Sequence, residues 1–389
     1  MAASFASRDT EVIREALVRR GIPEGKAASI VAGLTFLSVL LDSLTPEDIE
    51  QIKKLAFQRG LDIVAGDDWA LLSGSESRLA ALTRSAGSGL SLRVVEQLAA
   101  FLQQDRTSTN LWHTSRGPIS IGKPFVVGIL NVTPDSFSDG GKYLNSEAAV
   151  AHAADMIESG ADMIDVGGES TRPGAQAAVT AEEEWERVCP LLRALAREFA
   201  DIPVSVDTVK STVAERAIGE GAAVINDVSA LRLDPRVAEV CAETGAGLIL
   251  NHSRGPFEEM ASYEHANYED VVSEAVDELL VAVGQAEAAG MRRHQLVLDP
   301  GLGFAKTPEQ NCRLLRGLSG LVSVGMPVMV GPSRKRFLGT LTGKEVADRD
   351  TATAAACIAA LFGGAYLFRV HAVGLVRESL AIADALRNA

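Results

Sequence analysis

The sequence predicts an α/β protein, a (β/α)₈ TIM barrel preceded by a small N-terminal α/β or α-rich domain. Three observations lead there. From Phe125 onward, short β-branched or apolar runs alternate with amphipathic helical stretches. The number of such runs is eight, as a closed barrel requires. Nearly every run also ends in a residue able to hold a ligand or do chemistry, and barrel enzymes carry their sites at the C-terminal ends of the strands. A doubly wound open sheet is the competing architecture.

Residues 1–110 read as an accessory domain without a chemistry-bearing motif. A helix is expected at 10–20, a buried apolar stretch at 27–41 and a helix at 45–60. Strands follow at 61–65 and 69–74, then helices near 76–84 and 91–104. Thr45 followed by Glu47 and Asp48 is a good helix start. Residues 111–120, within a stretch poor in apolar residues, are expected to be a linker. Residues 121–389 form the barrel.

Its strands are expected at "FVVGIL" (125–130), "DMIDVG" (162–167), "PVSVD" (203–207), "AVINDV" (223–228), "GLILN" (247–251), "LVLDP" (296–300), "PVMVG" (327–331) and "YLFRVH" (366–371). Helices are expected between them, for example at 146–160, 181–199 and 268–290. The last has apolar residues at Val272, Ala275, Val276, Leu279, Leu280 and Val283, a one-face spacing. Gly160, Gly221, Gly245 and Gly290 stand where helices should end, as left-handed cap residues.

A chain of 389 residues with 47% hydrophobic content can bury a sizeable core. A net charge of −14 argues against nucleic acid or an anionic membrane as partner. Cys189, Cys241, Cys312 and Cys357 lie far apart without metal-ligand spacing and are expected as buried free thiols in a reducing cytoplasm. The first twenty residues lack a basic start followed by an apolar signal core, and the uncharged run 27–41 is short for a bilayer.

The strand ends carry Asn131, "GGESTRPGA" (167–175), Asp207, Asn226-Asp227, Asn251-His252, Asp299, "GPSRKRFLG" (331–339), Arg369 and His371. Asp207, Asn226 and Asp299 could ring a deep pocket of acceptors. Buried carboxylates need partners, and the guanidine-like edge of a flat heterocycle matches a carboxylate fork. Arg369, His371, Arg172, Arg334 and Lys335, with Asn131, could hold a phosphate or pyrophosphate together with Mg²⁺. Each residue also has a local alternative. Asp207 and Asp299 could cap helices, Asn131 and Asn226 could shape turns, and Arg334 and Lys335 could be solvated loop charges.

"GILNVTPDSFSDGG" (128–141) and "DVGGESTRPGA" (165–175) resemble the two signatures of the dihydropteroate synthase family. "SVDT" (205–208), "INDVS" (225–229), "LDPGLGFAKT" (298–307), "SRKRFLG" (333–339) and "RVHAV" (369–373) resemble its other blocks, in the same order. The resemblance covers residues 118–389. It implies a barrel that joins 6-hydroxymethyl-7,8-dihydropterin pyrophosphate to 4-aminobenzoate through an S_N1-like step. By that resemblance Asp207, Asn226, Asp299 and Lys335 hold the pterin, and Thr171, Pro173, Phe304, Lys335 and Arg336 border the aminobenzoate. Asn131, Arg369 and His371 hold pyrophosphate, with Asn131 on Mg²⁺. Asp207, Lys335, Arg369 and His371 carry the chemistry. The loops after the first two strands would close over the substrates, and a homodimer through helices near the C-terminus is implied.

Asn251 and Ser253 stand where the family often has Met, Ala305 where Gly is frequent, and Arg336 where Ser is common. The alternatives are a pterin-dependent methyltransferase domain acting with a corrinoid protein, and a non-catalytic pterin-binding protein.

Overall fold

The structure, a computed structural model, describes residues 23, 36–41, 44–83, 90–91, 94–95, 98, 111–132, 142–169 and 179–388. The chain divides into two compact units, Met1–Ser108 and Thr109–Ala389.

In the first unit, β1 (Phe36–Leu41), β2 (Asp62–Ala65) and β3 (Ala70–Ser75) form an antiparallel sheet in the order β1-β3-β2. Helices α1 (Pro46–Arg59) and α2 (Glu76–Thr83) accompany it. Thr45 starts α1 as expected: its hydroxyl accepts from Asp48 N (3.1 Å), and the Asp48 carboxylate accepts from Thr45 N (3.1 Å). Ile52, Leu55, Leu72 and Leu79 share this unit's own core. The helix expected at 10–20 lies outside the described residues, as do residues 27–35 and most of 91–104.

The second unit opens with a hairpin, β4 (Leu111–Thr114) and β5 (Gly117–Ser120), where a linker is expected from the sequence. One residue accounts for the difference. Trp112 is fully buried, and its indole N–H donates to the Gln295 carbonyl (2.9 Å). A buried tryptophan with its polar end satisfied outweighs its hydrophilic neighbours.

The eight expected strands then follow: β6 (Phe125–Asn131), β7 (Met163–Gly167), β8 (Val204–Asp207), β9 (Val224–Asp227), β10 (Gly247–Asn251), β11 (Leu296–Asp299), β12 (Met329–Val330) and β13 (Leu367–Val370). They pair in parallel in the order β11-β10-β9-β8-β7-β6-β13-β12. A parallel bridge between Leu298 and Val328 joins the two ends and closes the barrel.

Around it pack α3 (Lys142–Glu158), α4 (Ala181–Glu198), α5 (Ser211–Gly219), α6 (Arg236–Thr244), α7 (Val271–Ala288), α8 (Pro308–Arg316), α9 (Leu318–Val322), α10 (Arg336–Thr342), α11 (Asp350–Phe362) and α12 (Val373–Arg387). Their inner faces and the outward strand residues form the largest core cluster. Gly160, Gly221, Gly245 and Gly290 all take positive φ, as expected of left-handed cap residues. Cys189, Cys241 and Cys357 are buried free thiols; Cys312 is exposed, because α8 turns its neighbours Asn311 and Leu314 inward instead. Among the described residues, no helix is long and apolar enough to cross a membrane.

Inside the barrel, side chains alternate with the two-residue strand period. Trp112, Phe125, Val127, Met163, Val224, Ile249, Val297, Met329 and Leu367 make an apolar plug toward the N-terminal end. Two residues further along β7, β9, β10, β11 and β13, the same inward positions are Asp165, Asn226, Asn251, Asp299 and Arg369, while β6 carries Ile129 and β12 leads to Gly331. The barrel interior thus changes from apolar to ionic within one strand step.

Candidate active site

Arg369 stands at the centre of this polar layer. Its Nε donates to Asp165 Oδ2 (2.5 Å) and a terminal nitrogen donates to Asp207 Oδ2 (2.6 Å). One planar cation therefore ties β13 to β7 and β8. Asp165 is fully buried, and its other oxygen accepts from the Ser205 hydroxyl (2.5 Å). It also accepts from the Asn226 amide nitrogen (3.3 Å), which leaves Asn226 Oδ1 buried without a protein partner.

Asp299, also buried, accepts from Gly301 N through Oδ1 (2.7 Å). Lys335 reaches over from the turn before α10. Its ammonium donates to the Leu302 carbonyl and sits 3.8 Å from the centre of the Phe304 ring. Phe304 itself packs with Val209, Val228 and Met260. Asn131 ends β6 beside this layer. In register, Asn131 faces Gly167 and Gly167 faces Asp207. A side chain at Gly167 would come 3.1 Å from Asn131 Oδ1, so the glycine keeps that amide beside Asp207. His371 lies one step beyond β13. The Ser333 hydroxyl accepts from its backbone N–H (3.1 Å) and lies 2.9 Å from its Nδ1. With the hydroxyl proton given to Nδ1, the ring proton is placed on Nε2.

Burial raises the Asp207 carboxyl to about 7; Arg369 opposes this, and Asp165 adds to it as a like charge. Burial likewise raises Asp299, opposed by Lys335. Burial lowers the Lys335 ammonium to about 7, opposed by Asp299 and assisted by Arg369. Acceptor walls and cations thus share one mouth, each only partly neutralised by the other.

Asp207, Asn226, Asp299, Lys335, Arg369, His371, Asn131 and Phe304 therefore all belong to the C-terminal ends of the strands or the loops that leave them. Arg336 is exposed, with its guanidinium 3.7 Å from the centre of the Tyr263 ring. Arg334 departs from the expected anion rim: it pairs through two bonds with Asp350 (2.6 and 2.7 Å) and holds the start of α11. Thr171, Pro173 and Arg172, and the loops expected to close over the substrates, lie outside the described residues.

Asp165 is the residue that sequence reading passes over. Its signal is present, since a carboxylate between Ile164 and Val166 on an inward strand position must have a buried partner. Lys306 is the second. It is fully buried, with Nζ 2.8 Å from His252 Nδ1 and donating to the carbonyls of Phe304 (3.0 Å) and Gly301 (3.2 Å). It fixes the loop that carries Phe304. Of the two positions where Met is frequent, Ser253 has its hydroxyl committed to the Val228 carbonyl (2.7 Å), whereas Asn251 Oδ1 is buried without a partner.

Residues 127–371 match the family model described as "Pterin binding enzyme". The dihydropteroate synthase of Mycobacterium leprae is 44% identical over 277 residues, spanning 70% of this chain and 96% of that protein. The chain belongs to the dihydropteroate synthase family. Solved dihydropteroate synthases share its fold. That of Xanthomonas albilineans with 4-aminobenzoic acid has a TM-score of 0.65 and 42% identity, covering 70% of this chain and 96% of that one. The same organism's dihydropteroate synthase with 7,8-dihydropteroate has a TM-score of 0.62 and 39% identity, covering 70% and 97%. The family-model match runs from Val127, within β6, to His371, just past β13, and includes every charged group of the site described above.

Proposed function

We propose that the chain condenses 6-hydroxymethyl-7,8-dihydropterin pyrophosphate with 4-aminobenzoate, giving 7,8-dihydropteroate and pyrophosphate. The observation that carries this reading is the side-by-side placement of donor-seeking groups (Asp207, Asn226 Oδ1, Asp299) and cations (Arg369, Lys335) at one barrel mouth. A dihydropterin presents ring N–H and exocyclic NH₂ groups to the first set. Its pyrophosphate faces the second. The relatives named above are synthases, which favours this reading over a methyltransferase or a non-catalytic binder.

In the reaction the C–O bond to pyrophosphate breaks and a C–N bond to the aniline nitrogen forms. Loss of pyrophosphate leaves a cation spread over the dihydropterin ring. Arg369 and His371 stabilise the departing oxyanion, and Asp207 stabilises the ring cation. The aniline is neutral near pH 7, attacks without a strong base, and then loses its extra proton to solvent. Phe304 and Lys335 border the aminobenzoate, with Thr171, Pro173 and Arg336 expected beside it.

Asn131 fits a Mg²⁺ partner of one kind only. It offers a single amide oxygen at the mouth, which suits an ion that takes its other ligands from pyrophosphate and water. When bound there, Mg²⁺ would neutralise charge on the leaving group. Among the described residues, the only grouping of three His, Cys, Asp or Glu ligands is Glu259, Glu264 and His265, on the loop between β10 and α7, and it does not include Asn131.

The homodimer implied by the family is supported by α11 and α12, where Phe362, Ile382 and Leu386 are more than half exposed. The double substitution Ile382→Glu, Leu386→Glu is expected to halve the mass seen by light scattering; an unchanged mass places the contact elsewhere. A cytoplasmic location accords with free thiols and the lack of a membrane-crossing helix among the described residues.

The test is to follow dihydropteroate by mass spectrometry with Mg²⁺ and both substrates. Product that vanishes when either substrate is omitted supports the reading, and none in the complete mixture overturns it. The same assay reads pH dependence. Asp207 must be ionised and Lys335 protonated, and both titrate near 7. The plot of kcat/KM for the pterin is therefore expected to be bell-shaped with its maximum near neutrality. A flat profile between about pH 5.5 and 8.5 contradicts the pairing.

A further inference from the structure

We infer that Asn251 is a specificity-determining residue, accepting a hydrogen bond from the pterin through Oδ1. This rests on the reading that the barrel mouth takes a pterin. Asn251 ends β10 and points inward, two residues beyond Ile249 of the apolar plug. It is directly opposite Asp299 in the β10–β11 register, while Ile249 is opposite Asn226 on the other side. The side chain therefore stands between two groups already assigned to the heterocycle.

It is only 4% exposed, and its Oδ1 has no hydrogen-bond partner. Buried acceptors in native proteins are satisfied in the great majority of cases, and an orphan signals a ligand or a water. The surroundings preserve this acceptor. Gly301 takes φ +69; a side chain there would first meet the His252 carbonyl oxygen and would also lie 2.8 Å from Asn251 Oδ1. The backbone next to the amide thus leaves it clear. The neighbouring departure from the family pattern behaves differently, because the Ser253 hydroxyl is consumed by the Val228 carbonyl.

The consequence is a pocket with one more acceptor than a Met-bearing relative. A thioether at the same place would offer packing and only a weak acceptor. The heterocycle's ring N–H and exocyclic NH₂, assigned to Asp299 and Asn226 on the neighbouring strands, are the donors placed to use this amide oxygen. The oxygen-rich pyrophosphate and the carboxylate of 4-aminobenzoate cannot use it.

The experiment compares the full-length protein with Asn251→Met, using 6-hydroxymethylpterin as the calorimetric probe and both substrates for kinetics. Asn251→Met is expected to weaken pterin binding about tenfold and to raise KM for the pterin pyrophosphate similarly. KM for 4-aminobenzoate should stay within about twofold. Ligand-free melting temperature should hold or rise, because an unsatisfied buried acceptor has been removed. Asn251→Leu, which fills the space without any acceptor, should repeat the pattern. Unchanged pterin affinity in both variants overturns the assignment and leaves the synthase reading intact. Equal weakening for both substrates also overturns it, since that is a general packing defect. If the unsubstituted protein fails to bind the probe, the pterin reading itself falls and this inference with it.

Discussion

Replacing Arg369 with Met is expected to lower kcat/KM by about three orders of magnitude or more and to destabilise the barrel by about 3–5 kcal/mol. The two effects have one origin. Arg369 is the shared partner of Asp165 and Asp207, and Asp165 is wholly buried. Removing the cation leaves two carboxylates facing each other without compensation. It also removes the charge proposed to receive pyrophosphate. A second substitution separates them. Adding Asp165→Asn should recover part of the stability in urea denaturation, because one uncompensated charge is gone, but none of the turnover. A single Arg369→Met variant that unfolds at the normal urea concentration and still makes product sinks the central role given to this residue.

Lys335→Met and Asp299→Ala should each reduce turnover by about two orders of magnitude or more. Lys335 is the better probe of chemistry. Methionine keeps an apolar chain over Phe304, so the fold should persist while the ammonium is lost. Asp299 receives Gly301 N, so its removal also loosens the turn that Lys335 contacts through Leu302. Lys335→Met should therefore show a fall in kcat with a near-normal melting curve, and Asp299→Ala a fall in both. Near-normal kinetics for the two together would place the chemistry elsewhere. Circular dichroism melts alongside the product assay are sufficient to tell these outcomes apart.

The barrel was legible because its signals are local. A strand announces itself within five or six residues, and a cap glycine within one. The inward polarity of Asp207, Asn226, Asp299 and Arg369 could be read from their position at the ends of such runs, before any partner was known. Cys312 and the hairpin at 111–120 escaped for the opposite reason. Whether one cysteine or one tryptophan faces a core depends on what packs against it, and Trp112 finds Gln295 across 183 residues of chain.

By itself, then, the sequence determined the order of the eight barrel strands and most of the polar residues brought to their C-terminal ends. Period and punctuation encode these, and both are properties of neighbouring residues. The closing contact between Leu298 and Val328 belongs to the tertiary structure. Only the tertiary structure decided how those polar residues share their charges. Arg369 could have met any of several carboxylates; it takes Asp165, 204 positions away, together with Asp207. Arg334, adjacent to Lys335, is drawn instead to Asp350. Asn251 and Ser253, two residues apart and equally polar, end with opposite fates, one acceptor left open and one hydroxyl consumed. Ion pairs and hydrogen bonds act over a few ångströms in space, and closing the barrel sets those distances between residues remote in sequence.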